Sequence, residues 1–123
     1  MNGRFFLDTN AIIALMSGNY KVLQLVNSAN WLGISVISEI EFLSFSKITE
    51  RDKLLFQKFK ERVNILDLKS NDGLLIEKIC ELRLKHKVKL PDATIMASAI
   101  LSESTIISND KIFAERGLEV FAF

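Results

Sequence analysis

The chain has 123 residues, a formal net charge of +1 and 49% hydrophobic residues. This length suits one domain over residues 1–123, and the hydrophobic content excludes a disordered chain. No apolar run reaches the roughly 18 residues that a membrane span needs, and Asp8 interrupts an N-terminal apolar run already too short for a signal peptide. We therefore expect a cytoplasmic protein in which any basic, nucleic-acid-binding surface is local.

Short apolar runs alternate with longer helical patterns, which predicts strands that alternate with helices. The predicted strands are Arg4–Leu7, Trp31–Ile37, Val63–Leu68, Ser104–Ser108 and residues 118–123. The predicted helices begin at Thr9 or Asn10, Tyr20, Ser38, Thr49, Ser70, Pro91 and about Asp110, the first four ending near Gly18, Asn27, Lys47 and Arg62. This alternation implies a parallel sheet with helices on both faces.

The connection between the two helices that separate the third and fourth predicted strands has to be assumed. The chain must return to the carboxyl edge of the sheet between these helices. We expect residues 87–90 to span the sheet in extended form, at about 3.3 Å per residue. The helix at Pro91 then descends from that edge, with Asp92 in its first turn.

Four acidic side chains are predicted to meet at the carboxyl edge, where ligands bind in sheets of this kind. They come from four separate segments: Asp8, Glu41, Asp92 and Asp110. Carboxylates gathered in one place repel one another and couple their titrations, and a divalent cation removes that problem. The convergence therefore predicts a cation site.

Structural explanations remain open for three of these acids. Glu41 lies three residues after Ser38, the spacing of a capping box. Asp92 stands in a first helical turn, which favours negative charge, and Asp110 suits an N-cap. Asp8 is harder to explain in this way, because an apolar strand leads directly into it and an isolated buried charge is costly.

An all-oxygen cluster without a nearby Cys or His ligand indicates a hard ion, Mg²⁺ or Mn²⁺. Such an ion activates a bound water as a nucleophile, and two ions about 4 Å apart also stabilise the leaving oxygen. A phosphodiester is the natural substrate, because its oxygens complete the coordination.

Four sequence blocks resemble the PIN-domain nucleases, and most closely the VapC-like toxins of prokaryotic toxin–antitoxin pairs. The blocks are "FLDTN" (residues 6–10), "SVISEIE" (35–41), "LPDATIMASA" (90–99) and "IISNDKIF" (106–113). The resemblance implies an α/β, PIN-like three-layer fold, a single domain whose five-stranded parallel sheet has the first strand at its centre. It also implies an endoribonuclease that depends on Mg²⁺ or Mn²⁺.

The resemblance assigns catalytic and metal-binding roles to Asp8, Glu41, Asp92 and Asp110. The second acid of the family lies six residues after the serine of its strand, which is Ser35 here, and this selects Glu41. Glu39 lies two residues away and faces another side of the helix.

Two polar residues match positions that help to hold the acids and water in this family. They are Asn10 and Ser108, and Ser108 stands where Thr is more usual. Helix capping is the structural alternative for both residues, and the two roles are compatible.

RNA needs cationic contacts to its phosphates. The basic run from Arg83 to Lys89 precedes Asp92, and Lys111 follows Asp110, so Lys87, Lys89 and Lys111 are candidate RNA-binding residues. A solvated charged helix end explains the run equally simply.

Two residues occur once each in the chain. His86 lacks the pattern of a catalytic base and is expected to be solvated or to face RNA, and Cys80, in an apolar helical pattern, is expected to be buried and inert. For partners, the resemblance implies a homodimer and a small antitoxin protein that blocks the acidic groove with a basic side chain.

Three alternatives remain open. The first is a PIN nuclease that processes RNA and is not a toxin, and the second is a binding module that has lost catalysis. The third is a receiver-type phosphoacceptor domain of two-component signalling. This last class normally has paired acids after its first strand, where the chain has only Asp8, and a Lys after its fifth strand, where no room is left.

Overall fold

A computed structural model describes residues 3–123, and its centre is a five-stranded sheet. The strands are β1 (Arg4–Leu7), β2 (Trp31–Ser35), β3 (Asn64–Leu66), β4 (Thr105–Ile107) and β5 (Val120–Phe121). Their order across the sheet is β3-β2-β1-β4-β5, and every pair of neighbours is parallel. The predicted α/β fold, with the first strand central in a parallel sheet, is confirmed.

Seven helices cover the sheet in the described part of the chain. They are α1 (Thr9–Met16), α2 (Tyr20–Ser28), α3 (Val36–Leu43), α4 (Glu50–Lys60), α5 (Gly73–His86), α6 (Leu90–Leu101) and α7 (Lys111–Glu115). Between residues 3 and 123, no helix combines the length and the apolar character that crossing a bilayer requires.

Strand β1 separates two hydrophobic cores, because successive side chains of a strand point to opposite faces. Phe5 and Leu7 pack with buried residues of α1 to α4, whereas Phe6 packs with those of α5, α6 and α7. All three side chains are buried. This arrangement accounts for the continuous apolar run of β1 and gives the three layers of the fold.

The start of α3 differs from the prediction. β2 ends at Ser35, whose hydroxyl caps α3 by accepting a hydrogen bond from the Ile37 amide at 3.1 Å. Ser38 is buried inside the helix, so it forms no capping box with Glu41 and that explanation is wrong. The β-branched residues after Ser35 favour a strand, but an N-cap serine at the sheet edge starts the helix earlier.

Helices α5 and α6 form an antiparallel hairpin, so the predicted extended return through residues 87–90 is wrong. Only three residues join the helices, and they begin with Lys87 in the left-handed conformation, at φ 55°. Three residues reach about 10 Å, whereas α5 is about 21 Å long. Asp72, before α5, and Ser102, after α6, line one cavity. The chain therefore runs from the carboxyl edge to the opposite edge of the sheet in the loop before α5, and it returns to the carboxyl edge along α5. Helix α6 then starts at the carboxyl edge, which still places Asp92 there.

Two further expectations for α5 are wrong. Its N-cap is Asp72, which accepts a hydrogen bond from the Leu75 amide at 3.2 Å, and Ser70 lies before it in the loop. Cys80 is exposed. The helix buries Leu75 and Ile79 one turn apart, and Cys80, the residue after Ile79, is rotated about 100° away from that face.

Candidate active site

The four predicted acids line a single cleft at the carboxyl edge of the sheet. The cleft has a volume of about 320 Å³, and its walls include Asp8, Glu41, Asp92 and Asp110. Each acid belongs to a different segment: the end of β1, helix α3, the first turn of α6 and the loop after β4. The parallel sheet brings these distant segments together because the carboxyl ends of its strands lie at one edge.

Asp8 is the most deeply buried of the four acids, with 5% of its surface exposed. It is the N-cap of α1, and its Oδ1 accepts a hydrogen bond from the Ala11 amide at 2.7 Å. Its Oδ2 accepts a hydrogen bond from the Ser108 hydroxyl at 2.5 Å. Burial raises the pKa of Asp8, the negative charges of Asp110 and Asp92 raise it further, and the two hydrogen bonds partly offset the rise.

Ser108 links two of the acids. It is buried, and its Oγ both donates to Asp8 and accepts from the Asp110 amide at 2.9 Å. Asp110 is in turn the N-cap of α7, accepting from the Ile112 amide at 3.1 Å. The expected N-cap role of Asp110 is therefore confirmed, and it coexists with a place in the wall of the cleft.

Asp92 is half-buried and responds to acids on other elements. Burial raises its pKa, and the negative charges of Asp110 and Glu41 raise it further, while the positive charge of Lys89 lowers it. Asp110 follows β4 and Glu41 lies on α3, so the acids that raise the pKa of Asp92 come from two other elements.

The two glutamates of α3 lie in different surroundings. Glu41 lines the cleft, and its Oε1 accepts a hydrogen bond of 2.6 Å from the Thr9 hydroxyl. Glu39 turns away and forms an ion pair of 2.9 Å with Lys60 of α4, with 15% of its side chain exposed. Thr9 was missed in the sequence analysis, although its place directly after Asp8 was an available signal.

The remaining predicted polar residues are more peripheral. Asn10 is exposed and lines the cleft, but Asp8 occupies the N-cap position that was the structural alternative for Asn10. Lys87, Lys89 and Lys111 are exposed outside the lining of the cleft, and the positive charge of Lys89 opposes the rise in the pKa of Asp92. His86 is partly buried at the end of α5.

The donor chemistry of the cleft fits a hydrated hard cation. Within residues 3–123, no three acidic, His or Cys side chains stand close enough together to hold a metal ion between them. Mg²⁺, however, usually binds through one or two carboxylates and retains several waters. A cleft of this volume with four carboxylates in its walls has the oxygen ligands and the space for such an ion.

A family model described as "PIN domain" matches residues 5–118. The chain belongs to the PIN-domain family. PIN domains are nucleases, and they generally use divalent metal ions. The predicted family is therefore confirmed, and the cleft of this PIN domain is a candidate nuclease centre.

Several solved structures of similar fold are toxin–antitoxin or VapBC structures. A toxin–antitoxin complex from Klebsiella pneumoniae has a chain with 27% identity and a TM-score of 0.71, covering 86% of each chain. VapBC2 from Rickettsia felis, bound to a DNA fragment of its promoter, matches with 22% identity and a TM-score of 0.75, covering 97% of this chain and 98% of that one. VapBC-1 from nontypeable Haemophilus influenzae matches with 23% identity and a TM-score of 0.74, covering 96% of each. No curated protein sequence matches the chain.

Proposed function

We propose that this PIN domain is an endoribonuclease that depends on Mg²⁺ or Mn²⁺ and acts as the toxin of a toxin–antitoxin pair. The observation that carries the proposal is the convergence of Asp8, Glu41, Asp92 and Asp110 on one cleft. Burying Asp8 beside other acids raises its pKa, and a bound cation would offset that cost.

The catalytic and metal-binding residues in this proposal are the four acids. When bound, a divalent cation makes water more acidic and offsets charge on the phosphate. Asp8 and Asp92 would hold the cation, directly or through its waters, because they are the two more buried carboxylates of the cleft, and burial and neighbouring acids raise the pKa of both. Mg²⁺ and Mn²⁺ are preferred because every candidate ligand is oxygen.

Two hydroxyl groups orient the acids in this proposal. Ser108 donates to Asp8, which directs the carboxylate and fixes one of its oxygens as an acceptor. Thr9 donates to Glu41 at 2.6 Å and holds the longer, more flexible glutamate against α1. Asn10 lies in the wall of the cleft and supports bound water or substrate there.

Phosphates of RNA are bound by lysines around the cleft. Lys89 precedes α6, and its positive charge partly offsets the raised pKa of Asp92, while Lys111 directly follows Asp110. Lys87 is the C-cap of α5, two residues before Lys89. The positive charges of these lysines would attract the RNA backbone toward an otherwise acidic site.

The toxin assignment rests on the similar structures, which are described as toxin–antitoxin complexes. A small antitoxin protein that blocks the cleft is the corresponding partner, and the cytoplasm is the corresponding compartment. A homodimer is also proposed, and it is supported by large exposed apolar side chains such as Leu54, Leu74 and Leu84.

The receiver-domain alternative loses its basis in the structure. Its phosphoacceptor would follow the third strand, where Asp67 stands. Asp67 is exposed, forms an ion pair with Lys69 at 3.7 Å, and lines a different cavity from Asp8. The family match also assigns the chain to another class. Two alternatives remain, a PIN nuclease that processes RNA and a binding module that has lost catalysis, because both would keep the same cleft.

The test is cleavage of single-stranded RNA in Mg²⁺ or Mn²⁺, with and without EDTA. We expect EDTA to abolish most activity, and we expect Asp8→Asn and Asp92→Asn each to do the same. Circular dichroism should show that both variants keep the native fold. Asp67→Asn is the matched control, because it removes a carboxylate outside the cleft, and it should cleave like the native protein. Undiminished cleavage by Asp8→Asn and Asp92→Asn would contradict the proposal.

A second measurement separates a toxin from a processing nuclease. Overexpression of the native chain should arrest growth, and overexpression of Asp92→Asn should not. Normal growth together with metal-dependent cleavage in vitro would instead support the processing role.

A further inference from the structure

The cleft has an apolar side as well as an acidic one. Ile13, Phe45 and Ile95 line it together with the four carboxylates. Each lies three or four residues after a polar residue of the same wall: Ile13 after Thr9, Phe45 after Glu41 and Ile95 after Asp92. Residues three or four apart in a helix share a face, which applies to Ile13 in α1 and to Ile95 in α6, whereas Phe45 lies in the turn just beyond the end of α3.

The direction of the helices places these apolar side chains on one side of the acids. Helices α1, α3 and α6 all start at the carboxyl edge and run back along the sheet. Four residues of helix advance by about 6 Å. A ligand in the cleft therefore meets carboxylates toward the sheet edge and the side chains of Ile13 and Ile95 about one helical turn away, and Phe45 lines the same cleft from the turn after α3.

Phe45 differs from the other two apolar residues of the cleft. Ile13 packs against one hydrophobic core and Ile95 belongs to the other. Among the described residues, Phe45 is in neither buried cluster and is not one of the side chains packed against them, and it is only partly buried. It is the single aromatic side chain in the described wall of the cleft.

The backbone nevertheless holds Phe45 firmly. Its amide donates to the carbonyl of Phe42 at 3.2 Å, and its carbonyl accepts from the amide of Ile48 at 3.1 Å. The ring of Phe45 is partly exposed beside a charged site, so it leaves some apolar surface in water, and a ligand that covered this surface would gain hydrophobic free energy.

We propose that Phe45 binds substrate by stacking on an unpaired base next to the phosphate that is cut. The inference rests on the proposed ribonuclease function and specifies how that site binds single-stranded RNA. A nucleotide carries its phosphate and its flat base on opposite sides of the sugar, which matches a cleft that is acidic on one side and aromatic on the other. Every base has a π-face, so stacking binds single strands with little base preference.

The experiment compares binding of an intact RNA and of a series of abasic RNAs in EDTA, where binding is measured independently of cleavage. One is a fluorescein-labelled single-stranded oligoribonucleotide, and the others carry one abasic ribose at each successive position. Fluorescence anisotropy gives Kd for the native protein, Phe45→Leu and Phe45→Tyr. Ile40→Ala is the control, because Ile40 is 60% exposed on α3 and lies outside the cleft.

We expect Phe45→Leu to raise Kd for intact RNA by about 5-fold or more, the range that loss of one stacked base produces. Phe45→Tyr and Ile40→Ala should bind like the native protein. In the native protein an abasic ribose at one position should raise Kd by a similar factor, and in Phe45→Leu the same abasic ribose should have almost no further effect. A residue with a merely structural role would not remove the sensitivity to a missing base.

Two results would overturn the inference. One is equal affinity of the native protein for intact and abasic RNA at every position. The other is an abasic effect that persists unchanged in Phe45→Leu. Either is distinct from failure of the proposed function, which is the absence of metal-dependent cleavage by the native protein.

Discussion

The hydroxyl of Ser108 donates a hydrogen bond to the buried carboxylate of Asp8, a residue 100 positions earlier in the chain. The register of the sheet creates this contact, because β1 and β4 are parallel neighbours in which Leu7 pairs with Ile107. The residues that directly follow these two strands are Asp8 and Ser108. The central strand pair thus delivers an acid and its hydrogen-bond donor to the same point of the carboxyl edge.

Replacing Ser108 with Ala should weaken both the fold and the site. The substitution removes the donor to the buried carboxylate of Asp8, and leaving such a group unsatisfied costs about 1–3 kcal/mol, whereas the Asp110 amide that loses its acceptor is only partly buried and costs less. We expect the free energy of unfolding, measured with urea, to fall by about 1–3 kcal/mol. RNA cleavage should also decrease, because Asp8 loses its orientation.

Ser98→Ala is the control for this prediction. In the described part of the chain the buried hydroxyl of Ser98 finds no hydrogen-bond partner, so its loss should be neutral or stabilising. Equal destabilisation by Ser98→Ala and Ser108→Ala would show that the loss at position 108 reflects packing alone.

Asp8→Asn should stabilise the metal-free protein. The pKa of Asp8 is raised in the folded state, so its stabilising contribution is complete below the unfolded value of about 3.8 and is lost as pH rises through the folded value. The difference in unfolding free energy between Asp8→Asn and the native chain should therefore grow over that range and then level off. At pH 7 in EDTA, Asp8→Asn should melt roughly 2–5 °C higher.

Asp8→Ala separates charge from capping in this experiment. Both variants remove the charge, but only asparagine keeps an acceptor for the Ala11 amide, and loss of an N-cap costs about 0.5–2 kcal/mol. Asp8→Ala should thus melt below Asp8→Asn. A melting temperature of Asp8→Asn below that of the native chain at pH 7 would count against a destabilising effect of burying this charge beside other acids.

Divalent cations should raise the melting temperature of the native protein. A ligand that binds only the folded state stabilises it by about 2.7 kcal/mol at a concentration 100 times its Kd. Titration with Mg²⁺ or Mn²⁺ in differential scanning fluorimetry should show this rise. Asp92→Asn should respond much less, and an equal response would place the bound ion elsewhere.

Glu41→Gln should reduce RNA cleavage by roughly 10-fold or more, a loss of at least about 1.4 kcal/mol in transition-state stabilisation. Glu39→Gln should leave kcat/KM unchanged, because Glu39 pairs with Lys60 outside the cleft. The two substitutions are chemically identical on the same helix, so each controls for the other. A larger loss from Glu39→Gln would reverse the assignment.

Lys89→Gln and Lys111→Gln should weaken RNA binding and reduce its dependence on salt. Each lost phosphate contact lowers the slope of log Kobs against log salt by about 0.7 for a single strand. Lys53→Gln is the control, since Lys53 lies on α4 and pairs with Glu50 at 3.2 Å. Slopes unchanged from the native value would remove these lysines from the RNA-binding surface.

Most of the architecture follows from the pattern of the chain. Five apolar runs separated by helical segments predict the parallel sheet, and the carboxyl-edge rule predicts that Asp8, Asp92 and Asp110 meet. The errors lie where local signals compete. Val36 and Ile37 have strand propensity, and yet Ser35 starts a helix, because capping at the end of β2 outweighs that preference.

Contacts between elements were the part that the sequence could not supply. Sequence could not decide between an extended return through residues 87–90 and the observed return along α5, because both bring Asp92 to the carboxyl edge. The short reach of the three residues that join α5 and α6 excludes the extended return. The bond between Thr9 and Glu41 depends on the relative height of α1 and α3, which no spacing along the chain encodes. Phe45 was missed for the same reason, since its place beside the acids is set by packing.

Asp8 has a proposed catalytic role and is also the N-cap of α1. These two roles constrain how this protein can lose its activity during evolution. A descendant that no longer cut its substrate would gain from discarding the buried charge, yet its first helix would still need an oxygen to hold the amide of Ala11. Asparagine or serine satisfies both demands, and alanine satisfies only one. Inactive descendants should therefore retain a small polar residue at position 8, so a polar side chain there does not by itself identify a working enzyme.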